Sequence, residues 1–306
     1  MTQASIIILT KNAGIGFEQT LKMIFNQKYD DYEVLIIDSG SIDKTLEIAR
    51  RYPVIITSIP PAEFHHSGTR NFAASMAQGE YLVFITQDAL PVEDNWLSSL
   101  VSPLSDPSVA GVYGRQMAYN NANIIEKFFY SYFYPDKGVY ISHLPENLED
   151  FYIDNVFLSD VNSVILKKVW EKHKFNENII MAEDKDWAIQ VLRAGNKLIY
   201  EPKAVVYHSH EYNLISAFKR RFDDAAAMSQ ICRNSIGTGS FEKGIKYIFG
   251  EMSYVFKNNP IWLPYAMLYD LVKFSSLYLG KNEKYLPISL KKKISKHSGW
   301  WENANG

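Results

Sequence analysis

Residues 33–45 read EVLIIDSGSIDKT. Glu33–Ile37 is a short apolar, β-branched run of the kind that forms a strand buried on both faces. Asp38-Ser39-Gly40-Ser41 is a polar turn, and Asp43 can cap a helix running to Tyr52. The same unit repeats outward on both sides. Ser5–Thr10 (SIIILT) is a second buried-strand run, and Leu21, Ile24 and Phe25 give Phe17–Asn26 helical spacing. Val54–Ser58 reads as a strand, and Thr69–Gln78 as a helix closed by Gly79. Tyr81–Thr86 (YLVFIT) is a fourth strand, ending in Gln87-Asp88-Ala89, and Trp96–Leu104 is helical.

Strands alternating with helices over short connections indicate βαβ units and a mostly parallel sheet. The polar clusters TKN, DSGS and TQD follow the first, second and fourth strands. Ligands of open α/β sheets bind at the carboxyl ends of the strands, so three such clusters in register predict one pocket. Any one of them alone reads as a solvated turn.

Further along, Val109–Arg115, Val161–Ile165, Lys197–Tyr200 and Ala204–Tyr207 are strand-like, and Lys185–Ala194 is a helix closed by Gly195. Beyond Tyr212 the pattern is helical and aromatic, which divides the chain into 1–211 and a helical extension, 212–306. An apolar fraction of 47% over 306 residues supplies a sizeable core, and a net charge of -2 argues against a general nucleic-acid binder. A single cysteine, Cys232, excludes an intrachain disulfide. Neither an export signal nor a transmembrane run is expected, so the expected location is the cytoplasm or the inner face of the membrane.

Several residues carry chemistry. Asp38 can accept the N3–H of uracil or thymine, or cap its own turn. Asp88, at the end of a buried strand, can hold a divalent cation or pair with a base. Glu183, Asp184 and Asp186 begin a helix, where the macrodipole favours acids; one of them can also serve as a general base. His208 and His210 flank a serine and point to one side of an extended chain, which suits metal ligation or a structural role. Arg70, near a helix start, can bind phosphate or pair with a core acid.

In this order the segments SIIILTKN, LIIDSGSIDKT, GTRNFAASMAQGEYLVFITQDA and AEDKDWAIQVLRAG resemble family 2 glycosyltransferases of the GT-A, Rossmann-like fold. The resemblance covers about two-thirds of the chain, from Ser5 to His210. It implies that Thr10, Asn12, Asp38 and Ser41 meet the nucleoside, and that Arg70 and Gln87 belong to the donor site. It implies a Mg²⁺ or Mn²⁺ ion near the DxD position, which reads Thr86-Gln87-Asp88 here, lacking the first acid. Asp88 is then the remaining carboxylate ligand and His208 an additional candidate. Asp184, with Glu183 as its rival, would be the base of an inverting displacement. The TQDA variant and HHSGTRN resemble the bacterial rhamnosyltransferase branch, which uses dTDP-β-L-rhamnose to build cell-surface polysaccharides. A UDP-hexose-dependent transferase and an inert sugar-nucleotide-binding scaffold are the alternatives. A lipid-linked acceptor would favour membrane contact by the basic and aromatic residues after Tyr212, including Lys219-Arg220-Arg221 and Lys291-Lys292-Lys293; the same residues would otherwise form a helical core or a dimer contact.

Overall fold

A computed structural model describes residues 2–142, 158–231 and 239–303, with only the backbone given for 239–243 and 303. Cys232 lies outside the described residues. The N-terminal strands are β1 (Ala4–Thr10), β2 (Tyr32–Asp38), β3 (Ile55–Ser58) and β4 (Tyr81–Ile85). They lie parallel in the order β3-β2-β1-β4, with Thr10 of β1 directly opposite Asp38 of β2. Both faces are buried. Ile6, Ile8, Val34, Ile36, Val83 and Ile85 share one cluster, while Ile7, Ile37, Leu82 and Phe84 share another. Period-two alternation inside an unbroken apolar run produces this, and it explains why the strands read as solid hydrophobic stretches.

Helices α1 (Phe17–Phe25), α2 (Thr45–Ala49) and α3 (His66–Met76) connect these strands, and α4 (Trp96–Val101) follows the two-residue β5 (Leu90–Pro91). Gly79 does not close α3 as a left-handed cap. A Cβ there would lie 2.7 Å from the Ala4 carbonyl carbon, so it is the close passage over β1 that demands glycine. Gly195 does adopt the left-handed conformation, at φ +84°.

The sheet continues as β4-β8-β6-β9-β5, with β6 spanning Val109–Met117, β8 Asn162–Leu166 and β9 Lys197–Tyr207. β8 is antiparallel to both β4 and β6, and β9 is parallel to β6, so a mixed half is joined to the parallel half. β7 (Tyr140–Ser142) pairs with β9. The two strand-like runs after Gly195 are one strand, with a register irregularity opposite Gly114/Arg115. Helices α5 (Ile124–Phe133), α6 (Lys167–Trp170) and α7 (Glu183–Arg193) complete this part.

The helical remainder comprises α8 (Leu214–Ile231), α9 (Gly239–Asn258), α10 (Leu263–Lys281), α11 (Ile288–Ile294) and α12 (Trp300–Asn303). The expected boundary near Tyr212 falls in the connection between β9 and α8. The regions on either side share a core, however: Phe222, Ala226, Met228 and Trp301 pack with Ile180, Met181 and Ala182, just ahead of α7. Among the described residues, no helix is long and apolar enough to cross a membrane.

Candidate active site

The loops after β1, β2 and β4 meet in one hydrogen-bonded rim. The Thr10 hydroxyl donates to Asp38 Oδ1 at 3.0 Å, and the Ser41 hydroxyl donates to the same oxygen at 2.5 Å. Asp38 Oδ2 accepts the backbone N–H groups of Gly40 (3.0 Å) and Ser41 (2.9 Å). Asn12 closes the knot: its N–H donates to Ser41 Oγ at 2.8 Å, and its Oδ1 accepts the Ile42 N–H at 2.9 Å. The turn requires Gly40, whose φ is +86° and where a Cβ would lie 2.7 Å from Pro61. Gln87 ties in the third loop. Its carboxamide accepts the Lys11 N–H at 2.8 Å and donates to the Lys11 carbonyl at 3.2 Å.

Five of the six residues expected at the donor site, Thr10, Asn12, Asp38, Ser41 and Gln87, are therefore brought together, and Asp38 is the hub of their bonds. Its carboxylate accepts four bonds, three from its own turn and one from Thr10 on β1, and the residue is 1% exposed. Asp38 thereby orders the rim.

Asp88, beyond Gln87, meets β9's continuation. His208 Nε2 lies 3.8 Å from Asp88 Oδ1, and His210 Nε2 lies 3.5 Å from Oδ2. The three ligand atoms lie within 4.8 Å of one another. Burial pushes His208 down to about 4, and burial also lowers His210, so both rings are neutral at neutral pH. His208 Nδ1 lies 3.0 Å from Gln116 Oε1, an acceptor, so Nδ1 carries the proton. Gln116 is held in that orientation by its own donation to Ser159 Oγ at 3.0 Å. The Nε2 lone pair of His208 consequently faces the Asp88 carboxylate. Acceptors turned on one another are mutually repulsive until a cation stands between them, and the Nδ1–H bond is the usual outer support of a metal-bound imidazole. The donor set fits a divalent ion. His210 completes it, and its alternation with His208 along an extended chain is the sequence signal for that.

The acids at the start of α7 divide their roles. Arg70, from α3, lies 2.5 Å from Glu183 Oε1 through Nη1 and 3.0 Å from Asp160 Oδ2 through Nε. All three are buried. Of the two roles expected of Arg70, pairing with core acids is the one its contacts display. Glu183 is tied to that guanidinium. Asp184 is half-buried, accepts the N–H groups of Lys185 (2.8 Å) and Asp160 (3.3 Å), and has its proton affinity raised by burial and by Glu183. One guanidinium faces three acids, and burial with the neighbouring carboxylates lifts Asp160 to about 8. The helix starts from Ala182 in the left-handed region, at φ 65°, a strained conformation for alanine that turns both acids inward.

Arg220, on α8, belongs to the basic run that suited either a membrane contact or a helical core; its side chain is half-buried, 3.7 Å from Asp224. Its charge raises the proton-binding cost of both His208 and His210, while Asp184 in turn stabilises the guanidinium. Arg221 lies over the Phe129 ring at 5.5 Å and pairs with Asp224 at 3.4 Å. Lys292 pairs with Glu302 at 2.5 Å, and Lys291 with Glu283. The tail also returns to α3, where Trp300 stacks on His65 at 5.4 Å and His297 meets His66 edge-on at 5.4 Å. No local pattern in the sequence signals this closure.

Polar residues gathered at the ends of the strands, an acid-and-imidazole cluster and a group of buried acids thus lie along the carboxyl edge of one α/β sheet. The protein-family model described as glycosyl transferase family 2 matches residues 5–173, and the chain belongs to that family. It is 33% identical to the O-antigen chain rhamnosyltransferase RfbN of Salmonella typhimurium, over 98% of this chain and 96% of the relative. It is also 33% identical to the O-antigen chain rhamnosyltransferase WbaN of Salmonella anatum, over 99% and 97% respectively. In fold it is similar, with a TM-score of 0.56 at 19% identity, to the mannosyltransferase PcManGT from Pyrobaculum calidifontis, solved in complex with GDP-Man and Mn2+. That likeness covers 99% of this chain and 86% of the other, and the fold is GT-A.

Proposed function

We propose that the chain is a metal-dependent, inverting rhamnosyltransferase that moves L-rhamnose from dTDP-β-L-rhamnose to a lipid-linked saccharide in cell-surface polysaccharide synthesis. The observation that carries this reading is the presence of two charged centres that share one electrostatic neighbour. Asp88, His208 and His210 form an electron-rich cluster suited to a cation, Asp184 is a raised-affinity acid, and Arg220 is coupled electrostatically to both. The near-full-length similarity to two O-antigen rhamnosyltransferases supports the donor and the pathway class.

Asp88, His208 and His210 would hold the ion, and two imidazoles favour Mn²⁺ over the strictly oxygen-seeking Mg²⁺. When bound, it neutralises charge on the departing diphosphate. Asp184 takes the proton of the acceptor hydroxyl as that oxygen attacks the anomeric carbon opposite the nucleotide. Glu183, Arg70 and Asp160 hold Asp184 in place. The rim of Thr10, Asn12, Asp38, Ser41 and Gln87 shapes the nucleoside end. The two histidines compensate for the missing first acid of the DxD position, which weighs against an inert scaffold.

The membrane part of the reading now rests on apolar surface. Met267, Leu271, Phe274 and Tyr278 form an exposed stripe along α10, while Arg220, Arg221, Lys291 and Lys292 are engaged within the fold. The test is to incubate the protein with Mn²⁺, extracted lipid-linked saccharides and either dTDP-rhamnose or a UDP-hexose. Rhamnose transfer with an inverted anomeric centre is expected. Transfer from UDP-hexoses but not from dTDP-rhamnose would overturn the donor assignment.

A further inference from the structure

A cleft of about 840 Å³ opens between the start of α5, the Glu211–Asn213 connection and the turn joining α9 to α10. Its volume is that of a small-molecule site. Its lining is unusual for a gap between helices, because it combines aromatic rings with side-chain amides. Tyr212, Tyr254, Trp262 and Tyr265 contribute the rings, and Trp262 and Tyr265 meet edge-on at 5.6 Å, which fixes the plane of each.

Three of the amides each commit one end to the fold. Asn123 Oδ1 accepts the N–H groups of Ile125 and Glu126, both at 3.0 Å, and Asn213 Oδ1 accepts that of Ser216 at 2.9 Å. These bonds cap α5 and α8 and turn the NH₂ end of each side chain to other use. Asn258 is reversed: its Nδ2 donates to the Tyr254 carbonyl at 2.8 Å, which leaves its carbonyl end as an acceptor. The cleft thus presents donors and acceptors on orientations set by backbone contacts. Its charged lining residues, Lys127 and Glu211, are of opposite sign, so it offers no field for an anionic ligand.

The cleft is joined to the candidate centre. Tyr212 packs against the His210 ring at 5.4 Å, and Lys296 lies over the other partner surface of Tyr212, 4.5 Å from its centroid. His210 in turn lies 3.5 Å from Asp88. One side chain therefore separates the cleft from the cluster assigned to the donor diphosphate.

We propose that this cleft is the acceptor subsite and binds the neutral oligosaccharide part of the acceptor, with sugar rings laid on Trp262 and hydroxyl groups paired with Asn123, Asn213 and Asn258. Flat aromatic faces cover the apolar side of a sugar ring, and fixed amides match hydroxyls that both donate and accept. The proposal rests on the transferase reading of the Asp88 and Asp184 centre for its biological meaning, but the binding itself does not depend on that chemistry.

Two measurements separate the two. The first is ligand-observed NMR of the full chain with oligosaccharide released by mild acid from the lipid-linked saccharides of the producing cell. The second is steady-state transfer from dTDP-rhamnose to the intact lipid-linked fraction, with donor hydrolysis followed in parallel. Saturation transfer from protein to oligosaccharide is expected in the wild type, reduced at least fivefold in Trp262→Ala and in Asn258→Ala, and largely restored in Trp262→Phe. The acceptor KM should rise at least tenfold in Trp262→Ala, with donor KM moving less than twofold. Asn258 sits at an exposed helix end, so its variant guards against a folding artefact at Trp262. Oligosaccharide binding without donor hydrolysis would remove the catalytic reading and leave the cleft standing. Hydrolysis with no saturation transfer, or with an acceptor KM unmoved by both substitutions, would overturn the subsite.

Discussion

The two ends of the candidate site are built on opposite electrostatic terms. At the nucleoside end, Asp38 accepts three bonds from its own turn and one from Thr10, while Asn12 bonds Ser41 and Gln87 bonds the Lys11 backbone. At the other end, Asp88 faces two neutral imidazoles, three acids share one arginine, and the chain enters α7 through a strained alanine. The first end is a scaffold that costs nothing to keep. The second is held in an arrangement that becomes favourable only when a cation and a substrate join it, as reaction centres require.

If that contrast is right, substitutions at the second end remove activity and spare the fold, whereas those at the first do the reverse. The largest effect is expected at Asp88. Asp88→Asn should abolish rhamnose transfer, and EDTA should do the same to the wild type, with Tm little changed in the variant. Normal transfer by the variant, or full activity in EDTA, would dismiss the metal centre. Next comes Asp184→Asn, which should lower kcat by about 10²–10⁴ while leaving donor affinity nearly unaltered. If Glu183→Gln is inactive and Asp184→Asn is not, the base is the neighbouring acid, and the Arg70 pairing does not define its role.

The scaffold side of the contrast is tested by Asp38→Asn. An amide cannot accept all four donors now aimed at the carboxylate, so stability should fall by about 1–3 kcal/mol, read by denaturant unfolding. Unchanged stability with lost dTDP binding would return Asp38 to direct nucleobase contact.

A smaller effect concerns pH. Glu251 is buried beside Asp270, its carboxyl raised by that burial to about 7, with Lys273 opposing the shift at 3.6 Å. A raised acid binds its proton more tightly in the folded state, so its stabilising contribution is present at low pH and is lost as pH climbs from the usual glutamate value toward 7. Glu251→Gln should flatten the decline in unfolding free energy between pH 5 and 8, by on the order of 1–3 kcal/mol across the window, read by denaturant unfolding. An identical pH profile in the variant would show that Glu251 does not titrate there.

The sequence by itself determined the parallel half of the sheet and the gathering of the polar loops. Val34–Ile37 and Leu82–Ile85 are apolar runs too short for helices, and local turn residues end each of them. Period and turn chemistry act over a few residues, so they are visible in the chain. The order Asp88 … Glu183-Asp184 … His208 was likewise legible as a set of candidates. What only the tertiary structure decided was how those residues are spent. Arg70 and Glu183 are 113 residues apart in the chain, and nothing near either marks the other as its partner. Asp38 ends a strand in the sequence, and only the fold brings the Thr10 hydroxyl to its carboxylate from 28 residues away. Lys219-Arg220-Arg221 suited either a membrane surface or a helical core until α8 placed Arg220 and Arg221 beside Asp224, and Gly79 looked like a helix stop until β1 passed beneath it. Local propensity acts through neighbouring residues, whereas the protonation, pairing and exposure of a charged group depend on whatever the rest of the chain brings within a few ångströms of it.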